Sequence, residues 1–152
     1  MAVEAPVSRF RKNNLKIYMA ALIIVAVWLG YDGYFNQNFI DEHTEEGVAD
    51  STLIFNKALS PAAIAAALGF GIYFLLIKDK KIVAEDNELV IDGKEKVSYG
   101  SIQKVDKTFF ESKGFFVITY KSESGAETER KISDRRYDNL SAVLDKLVEQ
   151  IT

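Results

Sequence analysis

Two long apolar runs interrupt an otherwise mixed pattern of polar and apolar positions in this chain of 152 residues. Residues 17–31 and residues 58–77 contain no charged side chain. A helix needs roughly 20 apolar residues to cross about 30 Å of hydrocarbon, and flanking lysines and aromatic rings can extend a shorter run into the headgroups. The pattern predicts a membrane α-helical hairpin, with transmembrane helices at residues 15–35 and 58–77.

Two other interpretations of these runs are weaker. Two core helices of a soluble protein would leave too little polar surface to cover them in so small a chain. A cleaved signal peptide would explain the first run, but WLGYDG carries no A-x-A-like cleavage site. In the second run, Ser60 and Pro61 are typical of a helix N-cap and first helical residue, which favours a helix start at this point.

Charge is segregated along the chain. Residues 1–16 carry four basic residues and one acidic residue, whereas residues 32–57 carry six acidic residues and one basic residue. Three further lysines follow the second run closely. Because cytoplasmic flanks of membrane helices are enriched in Lys and Arg, we expect both termini in the cytoplasm and the helices in the cytoplasmic (inner) membrane.

Small residues at four-residue spacing predict close packing of the helices. Ala63, Ala67 and Gly71 lie along the second helix, and Ala26 and Gly30 lie on the first. Such a face can receive the first helix, a second copy of the chain or another protein's helix. Neither of the uncharged runs, 17–31 and 58–77, contains Asp, Glu, Arg or His, which argues against a proton or ion path.

Aromatic residues crowd the outer ends of the helices and the acidic loop between them. They can lie in the membrane interface, pack together as a small cap, or dock on a membrane partner. The aromatic residues predicted to form this interface are Trp28, Tyr31, Tyr34, Phe35, Phe39 and Phe55.

Candidate catalytic chemistry is absent from the sequence. The chain has no cysteine, and its one histidine, His43, makes neither a triad nor a metal site by itself. The acidic loop lacks EF-hand spacing, and there is no nucleophile elbow or phosphate-binding glycine loop. We expect no catalytic, cofactor-binding or metal-binding residues and no small-molecule substrate, so the protein is predicted not to be an enzyme.

Beyond Lys80 the pattern changes to short β-rich runs separated by turn residues such as Asp92-Gly93 and Ser124-Gly125. Strands are predicted at 81–84, 88–91, 96–99, within 101–110, at 114–121 and at 126–133. Both faces of residues 115–120 are apolar, which is typical of a central strand, and the spacing of Ile102 and Val105 indicates a bulge.

An amphipathic helix is predicted at the end of the chain, capped by Asp134 or Asp138. Its apolar stripe consists of Leu140, Val143, Leu144, Leu147, Val148 and Ile151.

The run ELVIDGKEKVSYGSIQKVD, followed by a hairpin and RRYDNLSAVLDKLVEQI, resembles a bacterial pleckstrin-homology-like (PH-like) domain. The resemblance covers about residues 80–152 and rests on pattern alone. It implies an α+β domain, with a bent antiparallel sheet closed by the terminal helix, following a pair of membrane spans. YDGYFN and IFN in the outer loop are also similar to small two-span bacterial membrane proteins.

The resemblance implies no particular ligand. The first hairpin turn, residues 85–88, is acidic, the wrong sign for a phosphoinositide. Arg130, Lys131, Arg135 and Arg136 form a possible lipid or partner patch, although acidic residues interleave with them. The domain is near neutral and has no nucleic-acid-binding motif, so nucleic acid is not an expected partner.

These observations predict a non-enzymatic, membrane-anchored adaptor or accessory subunit that contacts membrane lipids and either a membrane-protein partner or a second copy. A lipid-recognition or membrane-stress-sensing module and a small subunit of an energy-transducing complex remain alternatives. The expected organisation is a cytoplasmic tail (1–14), a first transmembrane helix (15–35), an acidic outer loop (36–57), a second transmembrane helix (58–77) and a cytoplasmic PH-like domain (80–152).

Overall fold

The structure is a computed structural model that describes residues 2–151. It divides into a sheet unit, Met1–Lys12 with Leu76–Thr152, and a hairpin unit, Asn13–Leu75. In chain order the elements are β1 (Val3–Pro6), α1 (Arg9–Gly30), a π-helical turn (Tyr31–Phe35), α2 (Gln37–Glu42), β2 (Thr44–Glu45), β3 (Val48–Ala49), α3 (Ser51–Ile77), β4 (Lys81–Ala84), β5 (Glu88–Ile91), β6 (Glu95–Ser98), a 3-10 turn (Tyr99–Ser101), β7 (Ile102–Asp106), α4 (Phe110–Lys113), β8 (Phe115–Lys121), β9 (Glu127–Ser133) and α5 (Leu140–Ile151).

The four-stranded sheet of the sheet unit begins with a strand that precedes the first apolar helix. Its order is β1-β4-β5-β6, and β1 pairs antiparallel with β4 from Val3 opposite Ala84 to Pro6 opposite Lys81. Ala5 and Val7 are fully buried. This strand lies in the segment predicted as a cytoplasmic tail (1–14), because four residues give too short a pattern for a strand to be recognised.

The second sheet has the order β7-β8-β9, with β8 central as its two apolar faces predicted. The register between β7 and β8 shifts between Ile102 and Lys104, which confirms the predicted bulge. The strands thus form two antiparallel sheets. Glu95 of β6 connects them, because the Tyr120 hydroxyl donates to its Oε1 at 2.5 Å and Arg130 lies 3.3 Å from its Oε2. This hydrogen bond raises the pKa of Tyr120.

The terminal helix α5 packs on β1, β4 and the 3-10 turn. Four residues of its predicted stripe are buried, namely Leu140, Val143, Leu144 and Leu147. The core therefore needs β1 as well as the strands that follow the hairpin. Phe116, Ile118 and Ile132 complete it from the second sheet.

The helix formed by α1 and the π-helical turn (Arg9–Phe35) and the helix α3 (Ser51–Ile77) are each long and apolar enough to cross a membrane. Only 11% and 22% of their most apolar windows are buried, so most of their apolar side chains face outward. Trp28, Ile24 and Leu68 are each more than 60% exposed. A core helix of a soluble protein would bury its apolar face, and these helices do not.

Both helices are longer than the sequence predicted. The first begins at Arg9 rather than residue 15, and the second begins at Ser51 rather than residue 58. Pro61 therefore lies inside α3, and Ser60 is not its N-cap. The cap is Asp50, whose Oδ1 accepts the N–H of Leu53 at 2.9 Å. This bond and the ring of His43 lower the pKa of Asp50.

The segment predicted as an outer loop is folded. It contains α2 and the β2-β3 hairpin, which turns through Glu46 and Gly47 at positive φ. Nδ1 of His43 lies 2.7 Å from Oδ2 of Asp50, and its ring lies 4.2 Å from that of Phe39. The single histidine thus joins α2 to the start of α3.

Candidate interaction surfaces

The predicted small residues lie where α1 and α3 contact each other. Ala26, Ala63 and Ala67 are buried. The Ser60 hydroxyl donates to the carbonyl of Ala26 at 2.9 Å, and a Cβ on Gly30 would lie 2.7 Å from the same hydroxyl oxygen. Of the three occupants that the sequence left open for this face, the structure has the chain's own first helix.

Toward the other ends of these helices, longer side chains make the contacts. A Cβ added at Gly71 would lie 3.6 Å from the Sδ of Met19. The ring centroids of Tyr18 and Phe70 are 5.9 Å apart. Beside them runs an almost wholly apolar groove of about 750 Å³. Its walls include Ile23, Val27, Ile64, Leu68 and Ile72.

Tyr34 connects the π-helical turn to the proline of α3. A proline has no N–H, so Pro61 leaves the carbonyl of Lys57, four residues earlier, without its helical partner. The Tyr34 hydroxyl donates to this carbonyl at 2.7 Å. Gly33 allows the π-helical turn to approach the backbone of α3 closely, because a Cβ at this position would lie 3.2 Å from the backbone nitrogen of Lys57.

The predicted outer aromatic residues do not form a closed cap. Trp28, Tyr31, Tyr34, Phe35 and Phe55 are exposed, and Phe39 is half-buried. Their rings are therefore available to an apolar or interfacial environment. Among residues 2–151, no group of three or more acidic, histidine or cysteine side chains is arranged to hold a metal ion.

The predicted basic patch is divided by the alternation of strand β9. Arg130 pairs with Glu95 at the buried side of the sheet, whereas Lys131 is exposed, with Nζ 3.7 Å from the centroid of the Phe115 ring. Neighbouring strand residues point to opposite faces, so Arg130 and Lys131 cannot face one ligand. Arg135 and Arg136 are exposed in the turn that follows.

An aromatic–lysine cluster that the sequence analysis missed lies around α4. It consists of Phe109, Lys113, Phe115 and Lys131. The rings of Phe109 and Phe115 stack with centroids 5.6 Å apart, and Lys113 Nζ lies 4.6 Å from the Phe109 centroid. The two Phe-Phe pairs in TFFESKGFF were the available signal, but Phe115 and Phe116 were predicted only as the two faces of a strand, and no role was predicted for Phe109.

Two phenylalanines that are adjacent in sequence, Phe109 of the cluster and Phe110 beside it, have different roles. Phe110 packs edge-on against the fully buried Phe116, with centroids 5.8 Å apart, and thereby anchors α4 to the core. Phe109 is 43% exposed. Gly114 ends α4 at φ +66°, and any Cβ there would overlap the carboxylate of Asp134. The α4 segment is therefore anchored to the core at its start by Phe110 and ends in the tight turn at Gly114 beside Asp134.

The beginning of α1 is hydrogen-bonded to the turn before α5. The buried Ser8 hydroxyl donates to the Arg135 carbonyl at 2.7 Å and accepts the Arg11 N–H at 3.2 Å. Asp138 accepts the Arg9 N–H at 3.0 Å. Asp138, one of the two residues predicted to cap α5, thus caps α1, because the fold brings residues of distant sequence together here.

Buried tyrosines join the turns of the sheet unit to its core. The Tyr137 hydroxyl donates to Asp92 Oδ1 at 2.8 Å, and the Tyr99 hydroxyl donates to the Glu85 carbonyl at 2.7 Å. Burial, assisted by the hydrogen bond to Asp92, raises the pKa of Tyr137 to about 12. Burial, assisted by nearby acidic residues, also raises the pKa of Tyr99 to about 12.

Comparison with protein-family models, with curated proteins and with solved structures finds no match for this chain. The interpretation of these surfaces therefore depends on their own geometry and chemistry. The resemblance to PH-like domains stays a prediction from the sequence pattern.

Proposed function

We propose that the chain is a non-enzymatic, membrane-anchored adaptor or accessory subunit. In this proposal α1 and α3 cross a bacterial inner membrane, and the sheet unit is a PH-like domain that the hairpin holds at the cytoplasmic face for a protein partner. Two sheets followed by a terminal helix support the PH-like assignment. The exposed apolar side chains of both helices support a lipid environment, where they would not contact water.

The observation that carries the proposal is the pairing of β1 with β4. These strands lie immediately before α1 and immediately after α3, and they are neighbours in one sheet. A chain that crosses a membrane between them has to return to the side from which it started. The pairing also argues against a cleaved signal sequence, because cleavage would remove β1 and its buried Ala5 and Val7.

Short connections support a role in which the hairpin fixes the domain close to the bilayer. Two residues separate β1 from α1, and three separate α3 from β4. The Val7 N–H bonds to the Lys80 carbonyl at 3.0 Å, so these two connections are themselves joined. A domain anchored so closely is concentrated at the membrane, where even a partner of modest affinity is bound.

The topology can be tested with single cysteines, because the chain has no native cysteine. Glu45→Cys in β2 should react with a membrane-impermeant maleimide in spheroplasts, whereas Ser124→Cys should react only after lysis. Ala2→Cys should behave like Ser124→Cys and should label the full-length band. Labelling of Ser124→Cys in intact spheroplasts, or loss of the Ala2→Cys label by processing, would contradict the proposed anchoring.

The adaptor role is tested by the mass of the protein purified in mild detergent. We expect a complex with a second protein or a second copy, with crosslinks from the sheet unit. The matched comparison is the same preparation after dissociation by a harsh detergent, which should give the single chain. A strictly monomeric species with no co-purifying protein would refute the adaptor role without affecting the anchoring.

A further inference from the structure

We infer that the apolar groove between α1 and α3 binds an acyl chain of one anionic phospholipid, and that Lys16 binds the phosphate of this lipid at one end of the groove. The inference rests on the proposed insertion of the hairpin in a membrane. It goes beyond the adaptor role, because it gives the hairpin a ligand of its own. All the residues that carry it belong to the hairpin unit.

Small residues between larger ones form the groove. Ala26 and Ala67 are buried at its floor, and Gly71 adds no side chain there. Leu68 and Ile72 stand beside them and are 64% and 61% exposed. The resulting volume of about 750 Å³ lies within the range of small-molecule sites, roughly 300–1,000 Å³. Because every lining residue is apolar, the groove suits a hydrocarbon chain and offers nothing to a polar ligand.

The length of the groove matches one leaflet of a bilayer. On α3 it extends from Ile64 to Leu75, which is about 16 Å of helix. The hydrocarbon layer is about 30 Å thick and consists of two leaflets, so one acyl chain covers a similar distance. A partner's transmembrane helix would cross both leaflets and would contact the groove over only half of its length. The length therefore favours a lipid chain over a helix.

Lys16 gives the groove a charged end. It lies one helical turn before Met19 and continues the stripe of α1 that Met19 and Ile23 contribute to the groove, because residues three and four apart share a helix face. The Nζ of Lys16 lies 5.7 Å from the ring centroid of Phe74, which also lines the groove. The side chain of Lys16 is exposed, so its ammonium group is accessible to a ligand.

A cation at the end of a hydrocarbon groove matches the two parts of a phospholipid. Residues 17–31 and 58–77 carry no charged side chain, so these runs supply no carboxylate that would neutralise Lys16. The stem of a lysine lies along apolar surface while its ammonium group reaches the headgroup phosphate. Basic groups between transmembrane helices on the cytoplasmic side bind anionic headgroups. The expected ligand is therefore a phospholipid of net negative charge.

The experiment is native mass spectrometry of the full chain in mild detergent, with phosphatidylglycerol or phosphatidylcholine added. We expect one saturable phosphatidylglycerol adduct per chain. Lys16→Gln should weaken phosphatidylglycerol binding about five-fold, the contribution of one lysine near an anionic surface, and should leave phosphatidylcholine binding unchanged. Lys57→Gln is the matched control, because the Nζ of Lys57 also lies over a ring, 6.0 Å from the Tyr34 centroid, but at the other end of the hairpin.

A second pair of variants tests the groove itself. Leu68→Trp fills the groove from one side and should reduce the binding of both lipids several-fold. Ile24→Trp adds an indole at a position that is 66% exposed and outside the groove lining, so it should bind lipid like the unaltered chain. Equal phosphatidylglycerol binding by Leu68→Trp and Ile24→Trp, or by Lys16→Gln and Lys57→Gln, would overturn the inference.

The measured masses also separate this inference from the proposed function. A lipid-free dimer that Leu68→Trp dissociates would assign the groove to a second copy and overturn the lipid assignment. Lipid bound equally by all four variants would refute only the groove site, because the adaptor role is judged from co-purifying protein. A chain that stays soluble and monodisperse after the detergent is removed would refute the anchoring, and this inference with it.

Discussion

Single hydroxyl groups satisfy backbone atoms that this fold would otherwise leave unpaired. Pro61 removes one helical hydrogen bond from α3, and Tyr34 replaces it from the neighbouring π-helical turn. An unpaired carbonyl is most unfavourable in lipid, where water is absent. This explains how a proline is accommodated inside a helix proposed to cross a membrane.

The pairing of Tyr34 with Pro61 predicts a non-additive double mutant. Tyr34→Phe should destabilise the hairpin by about 1 kcal/mol, because the Lys57 carbonyl loses its donor. In a Pro61→Ala background the same change should have little effect, because the alanine introduced there supplies the helical N–H that the proline lacks. The free energy of unfolding in detergent measures both, and equal effects of Tyr34→Phe in the two backgrounds would contradict this account.

Tyr137 predicts an alkaline loss of stability. Its pKa is raised from 10.0 to about 12 in the fold, so the neutral hydroxyl stabilises the native state. This contribution is complete below pH 10 and is lost as the pH rises through about 12. Tyr137→Phe should be less stable at neutral pH, because the bond to Asp92 is gone, but its stability should fall less steeply above pH 10. Parallel pH profiles of the thermal midpoint would refute this role for the burial of Tyr137.

At the scale of elements, α1 and α3 combine two types of contact. Small residues allow backbone-level approach around Gly30 and Ser60, and long side chains such as Met19 and Phe70 contact each other further along. In lipid, close van der Waals contact and interhelical hydrogen bonds are the main sources of helix association. Gly30 is therefore the position where the pairing of the helices is most sensitive to added volume.

Gly30→Ala should destabilise the hairpin by about 1–3 kcal/mol, because its methyl group would displace the Ser60 hydroxyl from the Ala26 carbonyl. Gly69→Ala in α3 is the matched control. A Cβ at Gly69 meets nothing within 4 Å, so this change should be neutral or stabilising by up to about 1 kcal/mol. Detergent unfolding compares the two variants, and an equal loss of stability in both would show that added volume at Gly30 is not the cause.

At the scale of the whole molecule, the hairpin unit is an insertion between two neighbouring strands of one sheet. Pro6 lies opposite Lys81, and Val7 bonds to Lys80, so a short turn could join these residues directly. The domain that folds is therefore β1 with the strands after α3, and not residues 80–152 alone.

This organisation predicts the outcome of a fragment experiment. A variant in which residues 8–79 are replaced by Asn-Gly should fold as a soluble domain, because β1 covers β4 and completes the surface for α5. Residues 80–152 alone should unfold at a clearly lower temperature or self-associate through the exposed edge of β4. Circular dichroism and gel filtration measure both, and equal stability of the two fragments would refute a structural role for β1. A variant of the joined domain with Ala5→Asp should resemble the shorter fragment.

The sequence by itself determined the features that depend on local pattern. Two long uncharged runs, strands at 81–84 and 88–91, the central β8, the bulge after Ile102 and the stripe of α5 were all predictable, because periodicity and turn residues are local properties. The small residues at the contact of α1 and α3 were also found from their spacing.

Only the tertiary structure decided which distant residues meet. The strand β1, the Asp138 cap on α1 and the hydrogen bond from Tyr34 to the Lys57 carbonyl each depend on partners far away in sequence. Ser60 and Pro61 are typical of a helix start, but α3 begins nine residues before Ser60, at Ser51, and is capped by Asp50. Such outcomes depend on the alignment of strands and the burial of unpaired polar groups, and neither is encoded in any short stretch of the chain.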